Sequence, residues 1–419
     1  MKPWHYVAGE LHIEQVPVAD LAIRYGTPLY VYSAHAITAR WRELDQALSG
    51  QRHLICYAVK ANSNLSVLRL LTDLGSGFDV VSMGELDRVI AAGGRPDRTV
   101  FSGVGKSTAE LRYALKTGVH CIDVESIAEL TRLGEIAAQL GQAAPVALRV
   151  NPDVDAATHP YISTGLRDNK FGIPLAQAEP LLRELQSDPR FALKGIACHI
   201  GSQITDLQPL RDALTSLLDL ADRLGAQGIG LEQIDIGGGI GIRYREETPP
   251  SLTDYGRMLS DQFAGRPETL VLEPGRALVG EAGVLLTRVE YLKTQSARRF
   301  AIVDAAMNDL LRPALYQAHH DILPARARTG EADLWDIVGP VCESGDFLGL
   351  ARRLALQAGD LLAVSDVGAY GFVMASNYNS RPRPAEVLVS GAQHRLVRRR
   401  ESLEALYAAE IDPEEGDRR

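Results

Sequence analysis

An alternation of two sequence patterns over residues 54–276 constrains the fold of this chain more than any other feature. Short β-branched, apolar runs end in polar or glycine residues, and each run is followed by a longer stretch with helical periodicity. The predicted strands are His53–Ala61, Gly77–Ser82, Arg98–Gly103, His120–Glu125, Pro145–Asn151, Lys194–Ser202, Gln233–Gly238 and Thr269–Glu273. Eight strand–helix units favour a parallel (β/α)8 barrel of the TIM type, and an open doubly wound sheet is the structural alternative.

After Arg276 the sequence pattern changes to strand-like runs that are separated by Gly and Pro turns, with few helical stretches between them. This pattern predicts a mainly antiparallel C-terminal β domain. A further strand-like run, Leu29–Tyr32, precedes the barrel and could join that domain. We therefore predict a barrel over residues 31–276 and a β domain made of residues 1–30 with 277–419, since a chain of 419 residues is expected to form two cores.

The composition excludes some classes of partner. A formal charge of −9 gives no electrostatic reason to expect nucleic acid or an anionic membrane. The sequence shows neither a secretory signal nor an apolar run that could span a bilayer, so we expect a cytoplasmic protein. No Cys-x-x-Cys pair suggests a metal site, and Cys56, Cys121 and Cys198 lie in apolar runs where buried thiols are expected.

Polar residues stand at the end of every predicted barrel strand. Lys60 ends the first strand and Asp79 lies in the end of the second, whereas His199 and Glu273 belong to the ends of the sixth and the eighth. In a βα barrel these ends meet at one mouth, where active sites lie. One or two such residues could be turn or capping residues, but a full set predicts a polar active-site mouth.

Lys60 is the most informative of these residues. It follows an apolar run, and an amine at a barrel mouth suits Schiff-base chemistry with an aldehyde cofactor, although from position alone it could simply reach solvent. The run Gly237–Gly239 follows the seventh strand, where barrels often bind phosphate through backbone N–H groups, and a plain tight turn is the alternative. Glu273 and Arg276 could likewise form no more than a surface ion pair.

Together these segments resemble a known family. Tyr57–Asn62 is similar to the cofactor-lysine motif of the alanine-racemase-like pyridoxal-phosphate enzymes, and three further segments resemble their decarboxylase branch: His199–Gln203, Gly237–Gly239 and Glu273–Arg276. Other segments resemble the substrate motifs of the diaminopimelate decarboxylases: His159–Gly165, Lys170–Gly172, Asn308–Tyr316 and Cys342–Asp346. The resemblance implies pyridoxal 5'-phosphate on Lys60 and the conversion of meso-2,6-diaminopimelate to L-lysine and CO2, the last step of lysine biosynthesis.

The resemblance also implies roles around the cofactor. Glu273 would face the ring nitrogen through an ion-pair hydrogen bond, so that the ring can accept an electron pair when CO2 leaves. His199 would stack on the ring, and Asp79 would support Lys60 or the ring. The phosphate and its surroundings would be contacted by Ser202, Gly238, Gly239, Gly275, Arg276 and Tyr370.

At the distal end of the substrate the resemblance implies recognition of a zwitterion. Arg276 and Arg312 would bind the distal carboxylate with help from Tyr316, and Glu343 would take the distal ammonium. Cys342 would donate a proton to the α-carbon or gate that face of the ring. In the family, the Cys342–Glu343 loop reaches the partner's active site, which implies a homodimer with shared sites. The loop 159–170 would act as a lid.

Three other functions stay open at this point. A related decarboxylase of ornithine, arginine or carboxynorspermidine would leave the set Arg276, Arg312 and Glu343 without a distal amino-acid group to bind. A racemase would tolerate a non-acidic partner at the ring nitrogen, so Glu273 disfavours it. A catalytically silent binding protein on the same scaffold is expected to lose Lys60 or the phosphate glycines, and both are present.

Overall fold

The structure is a computed structural model that describes residues 2–155, 170–296, 298–328 and 330–411. The chain divides into two compact units, a barrel unit of residues 38–243 with 247–278, and a second unit of residues up to 37, 244–246 and from 279 onward. The predicted boundary after residue 30 falls inside the strand Leu29–Ser33, which pairs along its length with strands of the second unit. The inclusion of residues 244–246 in the second unit is not evident from the sequence.

The barrel unit is a closed ring of eight parallel strands. In chain order these are His53–Ala58, Gly77–Val80, Thr99–Phe101, Cys121–Val124, Ala144–Asn151, Phe191–Ala197, Gln233–Asp235 and Thr269–Leu272. Each strand pairs in parallel with the next, and the eighth pairs with the first, which closes the sheet. The prediction of a TIM-type barrel is therefore confirmed. Most strands end before their predicted ends, because the polar residues leave the hydrogen-bonded ladder and form the loops of the mouth.

Amphipathic helices surround the strands. They are Ala34–Ala47, Leu65–Asp73, Met83–Ala91, Thr108–Thr117, Ile127–Leu140, Leu175–Ser187, Gln208–Gly225 and Leu252–Gln262. Ser107 and Glu110 form a capping box at one helix start, which satisfies backbone N–H groups that have no partner within the helix. On the longest helix Leu210, Leu214 and Leu217 are fully buried at helical spacing, so one face packs inward.

A cluster of small apolar side chains from five strands contributes to the core of the barrel unit. Its members are Leu54, Cys56, Val100, Cys121, Ala147 and Val271. Cys56, Cys121 and Cys198 are buried free thiols, as predicted, whereas Cys342 is exposed. Burial raises the pKa of the Cys56 and Cys121 thiols well above their usual range, so both stay neutral and inert.

The second unit is built on a nine-stranded sheet. Its strands are Leu29–Ser33, Gly283–Thr294, Arg299–Val303, Ile322–Pro324, Asp333–Val338, Phe347–Leu354, Leu361–Val364, Ala385–Ser390 and Gln393–Arg398. Most pairings are antiparallel, and two among the described strands are parallel. A three-stranded sheet precedes it, of Trp4–Val7, Glu10–Ile13 and Val16–Pro17, and the helices are Val18–Tyr25 and Arg312–Tyr316.

The strand Phe347–Leu354 is irregular. Its pairing with Asp333–Val338 shifts register twice, and Ala351 adopts a φ of 52°. Such irregularities break the alternation of apolar and polar residues by which a half-buried strand is recognised. Among the described residues, no helix has both the length and the apolar character needed to cross a membrane.

Candidate active site

Lys60 stands on a single 3-10 turn, Val59–Ala61, directly after the first barrel strand. Its Nζ lies 2.5 Å from Oδ2 of Asp79, a fully buried residue of the second strand. The lysine side chain is 37% exposed, so an ion pair fixes the amine at a place that small molecules can reach. A Cβ on Gly275 would lie 3.0 Å from that of Ala61, which shows how closely the eighth-strand loop packs against the lysine turn.

The glycines after the seventh strand are required by close approach of the backbone. A Cβ on Gly238 would lie 2.1 Å from the carbonyl oxygen of Glu273, and one on Gly239, where φ is +113°, would lie 2.5 Å from that of Gly201. A side chain at either position would push apart the loops that follow the sixth, seventh and eighth strands. The loop therefore does more than a plain tight turn requires, since it brings three strand ends into contact.

His199 is held in one tautomer by this loop. The N–H of Gly238 donates to its Nδ1 at 3.2 Å, so the ring proton of the neutral form lies on Nε2. Burial lowers the pKa of His199 well below its usual range, and the positive charges of Arg149 and Lys60 add to this shift. A neutral, flat imidazole is thus present at the mouth, and it suits a stacking role.

Arg276 and Ser202 join the loops after the eighth and the sixth strands. The Nη2 of Arg276 donates to Oγ of Ser202 at 3.0 Å, and the arginine is only 6% exposed. A buried guanidinium beside a hydroxyl and a glycine-rich backbone is a set of donors that suits a phosphate or a carboxylate.

Glu273 belongs to a cluster of buried carboxyl groups. Oxygens of Asp123, Asp235 and Glu273 lie within 4.8 Å of one another, and the Oγ of Ser102 is 3.1 Å from both Asp123 Oδ2 and Glu273 Oε1. Burial raises the pKa of Asp123 to about 7, and burial together with like charges raises the pKa of the other two well above their usual range. Oxygens at this spacing could also bind a cation, but the raised pKa values favour protons.

The sequence does not single out this carboxyl cluster. Ser102 and Asp123 are predicted only as polar strand ends, and Asp235 has no predicted role. One signal in the sequence could have revealed the cluster. Asp235 lies between Ile234 and Ile236, and a strand of a buried parallel sheet is normally apolar on both faces.

Arg149 is a further residue of the mouth that sequence reasoning leaves without a role. Its Nη1 lies 2.7 Å from Oε1 of Glu125, and its guanidinium lies over the ring of Phe171 at 5.0 Å. Residues 159–169 of the predicted lid lie outside the described residues.

In the second unit, Arg312 is held on several sides. It begins a five-residue helix that ends at the half-buried Tyr316, and its guanidinium lies 4.6 Å from the ring centroid of Tyr244. Its Nη1 is 3.0 Å from Nε2 of His320, whose Nδ1 is 2.8 Å from the carbonyl oxygen of Ser365. Because that carbonyl needs an N–H donor, Nε2 of the neutral ring accepts from Arg312.

The other predicted site residues of this unit are Cys342 and Glu343, which are adjacent in the chain, and Tyr370. Glu343 accepts a hydrogen bond at 2.5 Å from the hydroxyl of Tyr378, and the backbone N–H of the exposed Cys342 donates to Oδ1 of Asn379. Tyr370 has a φ of 56°, a conformation that is rare for an aromatic residue and is often found at functional sites.

Comparison with known proteins shows the family of this chain. The family described as pyridoxal-dependent decarboxylase, pyridoxal binding domain, matches residues 34–280. The diaminopimelate decarboxylases of Vibrio cholerae and Pseudomonas aeruginosa are both 57% identical to this chain, over 96% and 98% of it and 97% and 99% of their own lengths. The crystal structure of diaminopimelate decarboxylase from Helicobacter pylori complexed with L-lysine has a TM-score of 0.91 and 44% identity, and the match covers 95% of this chain and 100% of that one.

Fold and site together define a barrel decarboxylase that depends on pyridoxal phosphate. The chain belongs to the diaminopimelate decarboxylase family. The predicted family, the carboxy-lyase activity on diaminopimelate and the cofactor are thereby confirmed.

Proposed function

We propose that the barrel mouth holds pyridoxal phosphate and removes one carboxylate of meso-2,6-diaminopimelate, which gives L-lysine and CO2. One observation carries the assignment of the site. The amine of Lys60 and the buried carboxyl of Glu273 follow two strands that pair with each other, and the glycine loop packs against the carbonyl of Glu273. Amine, acid and anion-binding backbone are therefore at one end of the barrel.

The residues of the mouth fit this cofactor, since they offer an amine, a flat neutral ring, a buried acid and buried anion donors. When bound, pyridoxal phosphate supplies an aldehyde for amines and a ring that accepts the electron pair left by CO2. Lys60 provides the amine that holds it, and Asp79 fixes that amine in place. Glu273 holds a proton at the ring nitrogen, and His199 lies against the ring face and sets its tilt.

Phosphate binding is assigned to the loops after the last three strands. Ser202 offers a hydroxyl, and Gly238, Gly239 and the backbone of Gly275 and Arg276 would surround the phosphate. Each donor comes from a loop that packs closely against its neighbours, so these loops would hold the phosphate in one place.

We assign recognition of the distal carboxylate to Arg276 and Arg312, with the Tyr316 hydroxyl as an additional donor. A guanidinium binds a carboxylate through two parallel hydrogen bonds, which a single ammonium cannot do. The ring of Tyr244 and the acceptor nitrogen of His320 support this assignment, because they restrict the orientation of Arg312.

We further propose a homodimer in which Cys342 and Glu343 of one chain serve the barrel of its partner. Glu343 would bind the distal ammonium, Cys342 would protonate the reacting carbon or gate that face of the ring, and Tyr370 would add a hydroxyl near the phosphate or substrate. The exposure of the Cys342 thiol supports a role in contact with another molecule. Mixing Lys60→Ala with Cys342→Ala chains should restore up to about a quarter of wild-type activity if sites are shared, and none if they are not.

We propose the cytoplasm as the location of the enzyme. Three free thiols buried in the barrel unit support a reducing compartment. Fractionation of cells that express the tagged chain would test this, and recovery in a secreted fraction would contradict it.

The activity itself is tested with the purified full chain. Lysine and CO2 should form from meso-diaminopimelate, and turnover of ornithine or arginine should be negligible. Lys60→Ala should lose both turnover and the visible absorption of the lysine-bound cofactor, whereas the exposed control Lys116→Ala should keep both. Retention of that absorption by Lys60→Ala would overturn the site assignment.

A further inference from the structure

The hydroxyl of Ser102 lies between two carboxyl groups but has a single proton to donate. Its Oγ is 3.1 Å from Oδ2 of Asp123 and 3.1 Å from Oε1 of Glu273. An ionised carboxylate only accepts hydrogen bonds, so the hydroxyl can satisfy one of the two as an anion. The other carboxyl must bear a proton of its own and donate it to the serine oxygen.

Asp235 makes ionisation of the whole cluster still more costly. Its Oδ1 accepts from the N–H of Gly237 at 2.6 Å, whereas its Oδ2 and the Oδ1 of Asp123 are buried without a hydrogen-bond partner. Three carboxylates this close in a buried site cannot all be charged. The raised pKa of Asp123, which comes first from its burial, agrees with a cluster that retains protons at neutral pH.

We propose that Asp123 and Ser102 are positioning residues that control the charge of Glu273, by way of a proton shared along the hydrogen-bonded chain Asp123–Ser102–Glu273. This inference rests on the proposed function, in which Glu273 faces the ring nitrogen of the cofactor. It assigns a role to two barrel residues that the sequence predicts only as polar strand ends.

The chain has two states that differ in where the charge lies. In one, the Glu273 carboxyl donates its proton to Oγ of Ser102, and the serine hydroxyl donates to the Asp123 carboxylate. In the other, the Asp123 carboxyl donates to Oγ, and the serine hydroxyl donates to the Glu273 carboxylate. Moving the Glu273 proton to Oγ and the serine proton to Asp123 interconverts them, so one negative charge moves from Asp123 to Glu273 and no proton is exchanged with water.

The second state is the one that a protonated ring nitrogen selects, because it places the anion opposite the cation and stabilises that anion with a hydrogen bond. Other charged groups act on this balance. Lys60 favours charge on Glu273, Lys106 and Arg149 favour charge on Asp123, and Asp79 disfavours both. These groups have fixed positions in the barrel, so the serine hydroxyl is the element that couples the two acids.

The test follows the protonation of the ring nitrogen directly, in holoenzyme loaded with cofactor that is 15N-labelled at that position. Its 15N resonance is recorded as a function of pH, and the midpoint of its titration is compared between variants. Ser102→Ala should move the midpoint to lower pH by about one to two pH units, the effect of losing a hydrogen bond to a buried anion. Asp123→Asn should leave the midpoint unchanged or raise it, because its amide can still donate to Oγ.

The opposite behaviour of the two variants separates this role from simple disruption of the barrel. A general structural effect would lower the midpoint in both, and a lowered midpoint in Asp123→Asn alone would overturn the proposal even if Ser102→Ala failed to fold. Glu273→Gln is the control for the underlying assignment. If Glu273→Gln lowers the midpoint but Ser102→Ala does not, the shared proton is wrong and the role of Glu273 stands. If Glu273→Gln has no effect, the role of Glu273 in the proposed function fails.

Discussion

The carboxyl cluster of the barrel unit and the Arg312 site of the second unit bury charge in opposite ways. The barrel unit buries a set of acids, among them Asp79, Asp123 and Asp235, at 2% exposure or less. At the Arg312 site the second unit buries a guanidinium against the aromatic ring of Tyr244 and the acceptor nitrogen of a histidine. An acid can become neutral by taking a proton, whereas a guanidinium in a protein cannot lose one. The carboxyl cluster is thus suited to storing protons, and the Arg312 site to presenting a permanent charge.

A second arginine of the same unit follows the same pattern. Arg352 has Nη1 3.0 Å from the ring nitrogens of His319, and its Nη2 donates to the carbonyl oxygen of His320 at 2.9 Å. Burial lowers the pKa of Arg352, but the usual value is so high that the group stays charged. The ring and carbonyl acceptors contact the two Nη groups without neutralising the charge, and Nε is buried without a hydrogen-bond partner, which leaves the charge available to attract a carboxylate.

The largest expected effect tests whether the barrel mouth depends on backbone contact. Gly238→Ala places a methyl group 2.1 Å from the carbonyl of Glu273, and no side-chain rotation can relieve an overlap with backbone. We expect a loss of about 3 kcal/mol in the free energy of unfolding and failure to retain the cofactor. Gly230→Ala, whose Cβ would meet nothing within 4 Å, is the matched control. Urea unfolding and cofactor absorption would measure both, and equal stability of the two variants would contradict the argument.

Next in size is the test of the second unit. Arg312→Lys keeps the charge but loses the planar fork and its stacking on Tyr244. We expect the KM for diaminopimelate to rise about 30- to 100-fold with a smaller change in kcat. Arg326→Lys, at a side chain that is 76% exposed, is the control. If charge alone sufficed, Arg312→Lys would bind substrate as well as the control does.

The contrast between the carboxyl cluster and the Arg312 site also shows which features the sequence predicts and which appear only in the folded chain. The eight strands could be predicted because strand periodicity is encoded in neighbouring residues, and the places of Lys60 and the glycine loop after their strands followed from the same pattern. Arg312 could be proposed from its motif, but its contact with Tyr244 could not. Tyr244 belongs to residues 244–246, which join the second unit although the barrel sequence surrounds them on both sides. The carboxyl cluster was not predictable either. Asp123 and Asp235 belong to different strands, and only closure of the barrel brings their oxygens together.

A smaller effect concerns the pH dependence of stability, to which Asp123 of the barrel unit should contribute. Burial raises the pKa of Asp123 to about 7, so the folded chain binds this proton more tightly than the unfolded chain does. The resulting stabilisation is complete below the ordinary carboxyl pKa and is lost as the pH rises toward about 7. Asp123→Asn should therefore stabilise the apo form above pH 7 by on the order of 2 kcal/mol and flatten the pH profile.

Urea unfolding of the full apo chain on both sides of that window would measure this effect. Gly230→Ala provides the comparison, because neither residue has a titratable side chain and the added Cβ meets nothing within 4 Å, so its stability should show the wild-type dependence on pH. An Asp123→Asn variant that kept the full wild-type slope would show that Asp123 is ionised throughout.

The smallest expected effect tests the hydrogen bond from Arg312 to His320 while leaving its contact with Tyr244 in place. His320→Phe removes the nitrogen that accepts from Arg312, whereas His320→Gln can place an amide oxygen near the same point. We expect His320→Phe to raise the KM for diaminopimelate about fivefold to tenfold, the effect of one hydrogen bond, and His320→Gln to recover part of that loss. In both variants kcat should stay close to wild type, because the acids and the amine of the barrel are unchanged. A fall in kcat without a rise in KM would mean that His320 acts on the chemical step. The assignment of chemistry to the barrel residues and of substrate recognition to the Arg312 site would then be wrong.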